Sequence, residues 1–272
     1  MPELPEVETT RLGLEPHLAG KTVLNLHLYR RDLRWPVSPE LPDAVLDQEF
    51  RALKRRGKYL IFEMNRGAML VHLGMSGSIR LSGCEESLRK HDHWELTLNN
   101  GMLLRYNDPR RFGLLFWLTH NWEQHALIRN LGPEPLGLEF TADYLYQSCR
   151  GRTQAIKNHI MNSQTVVGVG NIYAAEALFH GGIHPAMPAG KLSIPRAARL
   201  VEEVRAVLTR SIEQGGTTLR DYVNGNGQPG YFKQQLWVYG REGQPCKICG
   251  NLLKGSRMGQ RATVFCAYCQ KR

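Results

Sequence analysis

The feature that most constrains this chain of 272 residues is a pair of C-x-x-C motifs close to its C-terminal end. Cys246 and Cys249 form the first motif, Cys266 and Cys269 form the second, and 16 residues separate the two. A gap of two residues lets both thiolates of a motif face one ion, and zinc prefers four tetrahedral ligands. The spacing therefore predicts one structural Zn²⁺, because four protein ligands leave no open position for a water molecule.

The rest of the chain offers no alternative use for these cysteines. Cys84 and Cys149 stand far from the motifs and are expected to be free thiols. The opening MPELPEVE lacks the apolar run of a secretory signal, and no segment approaches the roughly 20 apolar residues of a membrane span. We therefore expect a cytoplasmic protein without a membrane partner, in which clustered cysteines bind metal rather than form disulfides.

The charge of the chain favours a polyanionic partner. Lys and Arg number 35 against 25 Asp and Glu, which gives a net charge of +10. Each phosphate that a Lys or Arg neutralises releases condensed counterions, so a basic surface is typical of nucleic-acid-binding proteins. Charge alone leaves nucleic-acid binding undecided, since many basic proteins bind none.

The first half of the chain predicts a short helix followed by strands. Val7, Leu14 and Leu18 fall on one face of a helical pattern that closes at Gly20. Six short apolar or alternating segments are separated by turn residues and are expected to be strands: 22–29, 59–64, 69–73, 94–98, 102–106 and 113–118. Several such strands in succession indicate a sandwich or a barrel.

Beyond the Pro- and Gly-rich segment 131–137 the periodicity becomes helical. Two helices are expected between residues 154 and 179, joined by a glycine-rich turn, and a long helix is expected from Ser193 to Gly215. The polar segment 217–230 is expected to be a mobile loop. These changes predict three domains, 1–131, 132–236 and 237–272.

Pro2 and Glu3 suggest a catalytic terminus. A small second residue usually permits removal of Met1, which would leave Pro2 with a free secondary amine. A terminal amine has a pKa of about 8 against about 10.4 for lysine, so its reactive fraction at neutral pH is larger on the order of a hundredfold. Glu3 is placed to act as a general acid. The alternative is that these residues only start a helix, with acids at its positive end.

The opening PELPEVETTRLGLEPHLAG and the four-cysteine ribbon together resemble the bacterial formamidopyrimidine-DNA glycosylase family. The resemblance extends along nearly the whole chain through the segments RRGKYL, HLGMSG, KHDH, NDPRRFG, LGPEPL, VVGVGNIYAAEALF, SIEQGGTTLRDY, PGYF and QRATVFC. It implies an α+β multidomain fold: an N-terminal helix with a two-layered β-sandwich, a helix-two-turns-helix domain and a C-terminal zinc finger. It also implies a base-excision-repair glycosylase and lyase that removes oxidised purines from damaged double-stranded DNA as a monomer, in the bacterial nucleoid.

The resemblance assigns chemistry to four residues. Pro2 resembles the Schiff-base nucleophile of the family and Glu3 its acid partner, and Lys58 corresponds to a lysine that contacts DNA and assists elimination. Arg261 resembles the zinc-finger arginine that grips phosphates beside the lesion. Without the resemblance, Lys58 is one base among several in the run 54–58 and could be a surface charge.

The resemblance assigns DNA contacts to eight further residues. Met75, Arg110 and Phe112 match the trio that fills the space left by an extruded base, where Arg110 can hydrogen-bond the orphaned cytosine. Phosphate contacts are implied for the following residues: His72, His91, Arg152, Lys157 and Asn171. From the residues alone, structural roles are favoured for the Met, Phe and His side chains, and a salt bridge is favoured for Arg110.

Two departures and two other functions stay open. The segment 158–162 lacks the proline and acidic residue usual in the family, and the segment 84–89 matches nothing assignable. An endonuclease VIII-like enzyme would remove oxidised pyrimidines instead. A non-catalytic zinc protein would bind lesions without turnover. The trio and the segment 217–232, which resembles a lesion-capping loop, favour purine lesions.

Overall fold

The computed structural model describes residues 2–119, 121–217 and 235–272. The expected mobile loop 217–230 lies outside the described residues except for Thr217. The chain groups into two compact units, unit 1 with residues 1–129 and 212–233, and unit 2 with residues 130–211 and 234–272. The division into three domains stays a prediction. In the described part of the chain, no helix has the length and apolar character needed to cross a membrane.

Unit 1 contains two four-stranded antiparallel sheets. Its elements are α1 Leu4–Leu18, β1 Val23–Leu28, α2 Leu41–Val45, β2 Phe50–Arg56, β3 Tyr59–Met64, β4 Gly67–His72, β5 Ser78–Ser82, β6 Asp92–Leu98, β7 Leu103–Asn107 and β8 Leu114–Leu118. One sheet has the order β1-β6-β7-β5 and the other the order β2-β3-β4-β8. Because the sheets are separate, the choice left open above is resolved as a sandwich.

The core of unit 1 explains why the strands form where they do. Buried apolar side chains from α1 and from strands of both sheets make one cluster, in which the rings of Trp94 and Tyr106 stack 5.4 Å apart. All six expected strands are confirmed within a few residues. Two strands were missed: β2 carries basic side chains outward over much of its length, and β5 carries Arg80 in a buried position.

Helix α1 begins at a capping box. Glu3 is the N-cap, and its N–H donates to the Glu6 carboxylate at 2.8 Å while the Glu3 side chain accepts from the Glu6 N–H. Pro5 lies in the first turn, where its missing N–H costs nothing. The helix-start interpretation of Pro2 and Glu3 is therefore correct as local structure, and it is compatible with a chemical role for the same residues.

Unit 2 is helical and carries the cysteine module. It contains α3 Ala142–Cys149, α4 Ile156–Ile160, α5 Asn171–His180, most of α6 Ile194–Glu213, and the hairpin of β9 Lys254–Met258 and β10 Arg261–Phe265. Helix α6 buries Leu200, Val204 and Leu208 along one face, as its periodicity predicts. The expected helix pair is confirmed as α4 and α5.

A buried carboxylate ties the cysteine module to α5. Glu176 is 1% exposed and accepts the backbone N–H groups of Trp237, Val238 and Tyr239 at 2.8–2.9 Å. Apolar side chains support the same attachment, since the ring of Phe179 stacks on that of Trp237 at 5.9 Å. The segment 237–239, which leads into the cysteine module, is thus fixed relative to α5.

An ion pair is buried between β5 and β6. The Arg80 guanidinium donates to both carboxylate oxygens of Asp92 at 2.8 and 2.6 Å, and the side chains are 4% and 1% exposed. Burial raises the pKa of Asp92, but hydrogen bonds from Arg80, Asn107 and the Arg89 N–H outweigh it and hold this pKa below its usual value. The carboxylate is therefore ionised at neutral pH and fully compensated.

Asp92→Ala is expected to lower the free energy of unfolding by about 3–5 kcal/mol, because it leaves the Arg80 charge buried without a partner. Urea denaturation measures the change. Asp32→Ala is the matched control, since Asp32 pairs with Arg30 and Arg111 while 60% exposed, and its denaturation midpoint should not move. Equal midpoints for the two variants would contradict the interpretation.

Candidate active site

The N-terminal residues of unit 1 are held in place by Glu6. Pro2 is buried, Glu3 is 2% exposed, and one Glu6 carboxylate oxygen accepts the Glu3 N–H at 2.8 Å. The other oxygen accepts the Thr217 N–H, also at 2.8 Å. A single buried side chain thus connects residue 3 with the last described residue before position 218, so the backbone at Pro2 has a defined direction.

Lys58 lies close to His72, in the turn that leads into the strand paired with that of His72. Lys58 is half-buried in the turn between β2 and β3, and the next residue, Tyr59, pairs with His72 on β4 with ring centroids 5.0 Å apart. Burial, helped by the positive charge of Lys58, lowers the pKa of His72 to about 4. His72 is therefore neutral at pH 7, and because its Nδ1 accepts the Gly74 N–H at 2.9 Å, its Nε2 carries the proton.

Two adjacent turns present the expected void-filling trio. Met75 follows β4 and is 38% exposed, while Arg110 and Phe112 follow β7, with Phe112 42% exposed. The Arg110 guanidinium lies 4.9 Å from the Phe112 ring centroid. Gly74 and Gly113 let the turns touch, because a Cβ on Gly74 would overlap the Gly113 backbone. The structure therefore brings the three residues together on exposed tips.

A second candidate histidine, His91, lies beside these turns. His91 is half-buried, has a left-handed backbone with φ of +75°, and accepts the Asp108 N–H through its carbonyl at 3.0 Å. Its ring is not used by this bond. The backbone of His91 is therefore fixed against the turn that carries Arg110 and Phe112.

Unit 2 presents Arg261 on a supported hairpin. Arg261 is exposed at the start of β10 and pairs with Met258 across the hairpin. The buried Lys157 ammonium donates to the Thr263 hydroxyl at 2.7 Å and the Ala262 carbonyl at 3.2 Å. Asn171, at the start of α5, donates to the same carbonyl at 3.1 Å. Lys157 thus supports both residues that follow Arg261, and Asn171 supports the first of them.

Arg152 has a different setting within unit 2. It is exposed in the loop after α3 and lines a polar cleft of about 430 Å³ with Gln154 and His159, among others. The buried His159 ring bonds Ser148 at 3.0 Å and Gln154 at 2.9 Å, so it stiffens the wall of this cleft. The guanidinium of Arg152 is available to an anion at this surface.

The four cysteines of the two motifs fit a zinc ion. Their sulfurs all lie within 4.8 Å of one another, with Cys246 and Cys269 at 3.9 Å and Cys249 and Cys266 at 3.5 Å. Four thiolates around a tetrahedral zinc at about 2.3 Å lie about 3.8 Å apart. The chain therefore binds one structural zinc ion, whose role is to fold the module that carries Arg261.

Two acidic residues of this site were missed by sequence reasoning. The role of Glu6 could have been predicted from the sequence, since an acid three residues after Glu3 is the pattern of a capping box. The role of Asp108 was harder to predict, because an acid before a proline is common in turns. Its burial at 0% exposure depends on which loops meet around it, and the sequence does not reveal that.

Cys249→Ser is expected to reduce bound zinc from about one ion per chain to a small fraction and to lose DNA binding with it, because three thiolates and a hydroxyl hold zinc poorly. Metal analysis and a DNA-binding titration measure the two effects. Cys84→Ser is the control, since Cys84 is exposed and outside the cluster. Undiminished DNA affinity in the zinc-free variant would show that the module is dispensable.

Comparison with known proteins relates the chain to one family. Family models match residues 1–115 as the formamidopyrimidine-DNA glycosylase N-terminal domain, 131–223 as the H2TH domain of the same glycosylases, and 243–272 as a zinc finger found in FPG and IleRS. The formamidopyrimidine-DNA glycosylase of Cellvibrio japonicus is 55% identical over 271 residues, and that of Stutzerimonas stutzeri is 52% identical, each over the full length of both chains.

Solved structures agree with the sequence comparisons. A Lactococcus lactis FPG variant in complex with DNA containing Fapy-dG superposes with a TM-score of 0.92 and 30% identity, over all of both chains. The MutM (FPG) protein of Thermus thermophilus gives a TM-score of 0.89 and 36% identity, over 99% of this chain and 98% of that one. The chain therefore belongs to the formamidopyrimidine-DNA glycosylase family.

Proposed function

We propose that Pro2 is the nucleophile through which this chain, a base-excision-repair DNA glycosylase and lyase for oxidised purines, attacks the sugar of the damaged nucleotide. The observation that carries the proposal is the anchoring of residue 3 by Glu6, which fixes the terminus on the unit that also bears Lys58 and His72. Removal of Met1 would leave a secondary amine at Pro2. That amine is deprotonated near neutral pH far more often than lysine.

The proposed reaction begins at C1′ of the sugar. The Pro2 nitrogen attacks C1′, the glycosidic bond breaks, and the damaged base leaves with a proton. Opening of the sugar ring gives an iminium, which draws electrons from C2′ once a proton is removed there, so the 3′ phosphate is eliminated. Elimination of the 5′ phosphate follows, and water releases the sugar fragment from Pro2.

Three further side chains serve this reaction in our proposal. Glu3 donates a proton to the opening sugar ring and steadies the positive charge that develops at Pro2. Lys58 contacts the DNA backbone and assists elimination at the sugar. Arg261, exposed on its supported hairpin, binds the phosphates beside the lesion and stabilises the second leaving phosphate.

Base extrusion is assigned to the exposed tips. The glycosidic carbon is shielded inside a duplex, so the damaged nucleotide must leave the stack. Phe112 acts as the wedge, Met75 as a flexible plug, and Arg110 as the partner of the orphaned cytosine. The 38% and 42% exposure of Met75 and Phe112 supports this assignment, because it leaves both side chains accessible to DNA on adjacent turns.

The remaining DNA contacts are proposed for phosphates. His72 donates through Nε2 as a neutral ring, His91 and Arg152 offer side chains at the surface, and Asn171 lies at the hairpin that it supports. Lys157 is 1% exposed and donates to the same hairpin, so it can reach a phosphate only when those bonds open. We infer that the enzyme acts as a monomer on DNA and resides with the nucleoid. The net charge of +10 supports residence on DNA.

Borohydride reduction should trap the chain on DNA that contains 8-oxoguanine opposite cytosine, because it reduces the iminium to a stable amine. Pro2→Gly should lower trapping at least about tenfold, since a primary amine forms an imine that must first be protonated. Mass spectrometry of the adduct should place the sugar fragment on residue 2.

Lys54→Met is the control for this experiment. Lys54 lies on β2 near Lys58, but its ammonium pairs with Glu63 at 2.9 Å on the surface, so trapping should be unchanged. Full trapping of Pro2→Gly, or of a chain shown by mass spectrometry to retain Met1, would exclude Pro2 as the nucleophile. A chain that binds the lesion but never traps would be a sensor rather than an enzyme.

The substrate class is tested by two duplexes of equal length. Cleavage of 8-oxoguanine opposite cytosine should exceed cleavage of thymine glycol opposite adenine by at least about tenfold in kcat/KM, because Arg110 meets a cytosine only in the first duplex. Single-turnover strand scission measures both. Faster cleavage of the thymine glycol duplex would favour an endonuclease VIII-like activity instead.

A further inference from the structure

We propose that Asp108 is a positioning residue whose buried carboxylate fixes both turns of the void-filling trio and, through Arg110, sets the preference for the base opposite the lesion. This inference rests on the proposed function of Met75, Arg110 and Phe112. Asp108 itself is 0% exposed and touches no DNA in this assignment.

The carboxylate of Asp108 is saturated by four donors. Oδ1 accepts the Ser76 hydroxyl at 2.6 Å and the Arg110 N–H at 3.2 Å. Oδ2 accepts the Gly113 N–H at 2.9 Å and the Tyr106 hydroxyl at 3.0 Å. Hydrogen bonds to an ionised acceptor are stronger than those between neutral groups, so a buried carboxylate is well suited to hold several segments at once.

Three of the four donors belong to the turns that present the trio. Ser76 directly follows Met75, the Arg110 N–H is the backbone of a trio member, and Gly113 directly follows Phe112. The Ser76 hydroxyl also accepts the Arg110 N–H at 3.2 Å, which links the two turns directly. Each exposed side chain is therefore at most one residue from a group that Asp108 holds.

The backbone of Asp108 is anchored as firmly as its side chain. Its N–H donates to the His91 carbonyl at 3.0 Å, and its carbonyl accepts the Arg111 N–H at 3.2 Å and contacts His93 Nε2 at 2.7 Å. The carboxylate is thus a fixed point attached to the β-sandwich rather than a mobile part of the turn. Movement of either tip must break a bond to this fixed point.

Four groups donate hydrogen bonds to the side chain of Asp108, and only a carboxylate can accept all four. An asparagine offers one acceptor oxygen and one NH₂, so in either orientation its NH₂ faces one hydroxyl and one backbone N–H. The hydroxyl can turn and accept from the NH₂, but the backbone N–H, of Arg110 or of Gly113, loses its bond to residue 108. Asp108→Asn keeps the size of the side chain and removes one backbone bond, which loosens one turn without leaving a cavity.

The experiment compares Asp108→Asn with wild type and with Tyr106→Phe. Tyr106→Phe removes one bond to the same carboxylate but leaves every bond to the turns intact. Three quantities are measured: amide hydrogen exchange at Arg110 and Gly113, excision of 8-oxoguanine opposite cytosine against adenine, and strand scission at an abasic site in single-stranded DNA. Thermal unfolding confirms that both variants are folded.

We expect Asp108→Asn to accelerate exchange at one or both amides and to reduce the cytosine-over-adenine preference, on the order of tenfold, which is the range of one bidentate base contact. Scission of the single-stranded abasic site should stay within about twofold, because that substrate has no opposite base and no stack to fill. Tyr106→Phe should leave both the preference and the exchange at Arg110 unchanged.

Equal losses on duplex and single-stranded substrates, with an unchanged preference, would overturn the proposal and make Asp108 a general stability residue. Unchanged amide exchange in Asp108→Asn would overturn it as well. The double variant Asp108→Asn/Arg110→Ala should show no smaller preference than Arg110→Ala alone, since both act through one contact; additive losses would contradict this.

Arg110→Ala separates this inference from the proposed function. If Arg110→Ala keeps the full cytosine preference, the trio has been wrongly assigned, whatever Asp108→Asn does. If Arg110→Ala loses the preference and Asp108→Asn keeps it, the trio stands and the positioning role of Asp108 is wrong.

Discussion

A carboxylate that is removed from water has to be compensated, and in this protein the compensation organises the functional segments. Glu6 accepts the N–H groups of Glu3 and Thr217, and Glu176 accepts those of Trp237, Val238 and Tyr239. Asp108 collects donors from two turns in the same way. Backbone groups in loops lack partners from sheets or helices, so buried acids both satisfy them and fix their positions.

The sequence was informative wherever the cause of structure is local. The cysteine spacing alone predicted the zinc module, and alternating patterns predicted six strands of unit 1. Strand β2 was missed because its outward residues are basic, and β5 because Arg80 is buried only through its pairing with Asp92 on β6. That pairing joins distant segments, so no local window contains both halves of the signal.

The same distinction holds for the site. A lone methionine, arginine or phenylalanine has no pattern, so Met75, Arg110 and Phe112 could be singled out only through a family resemblance. Their exposure and their closeness became visible once β4 and β7 were placed. Lys157 shows where a resemblance alone is insufficient. The resemblance implies that Lys157 contacts a phosphate, whereas in the structure its ammonium donates to two oxygens of the hairpin that bears Arg261.

The backbone contact between Gly74 and Gly113 limits how far the two turns can change shape when the protein binds a partner. Loops that pack main chain against main chain lose their conformational entropy when the protein folds, so binding costs them little further entropy. In the proposed assignment, in which these turns enter the duplex, distortion must then come from the nucleic acid. A weakened base pair bends and unstacks more readily than an intact one, so a stiff probe discriminates damage through the deformability of the duplex it meets.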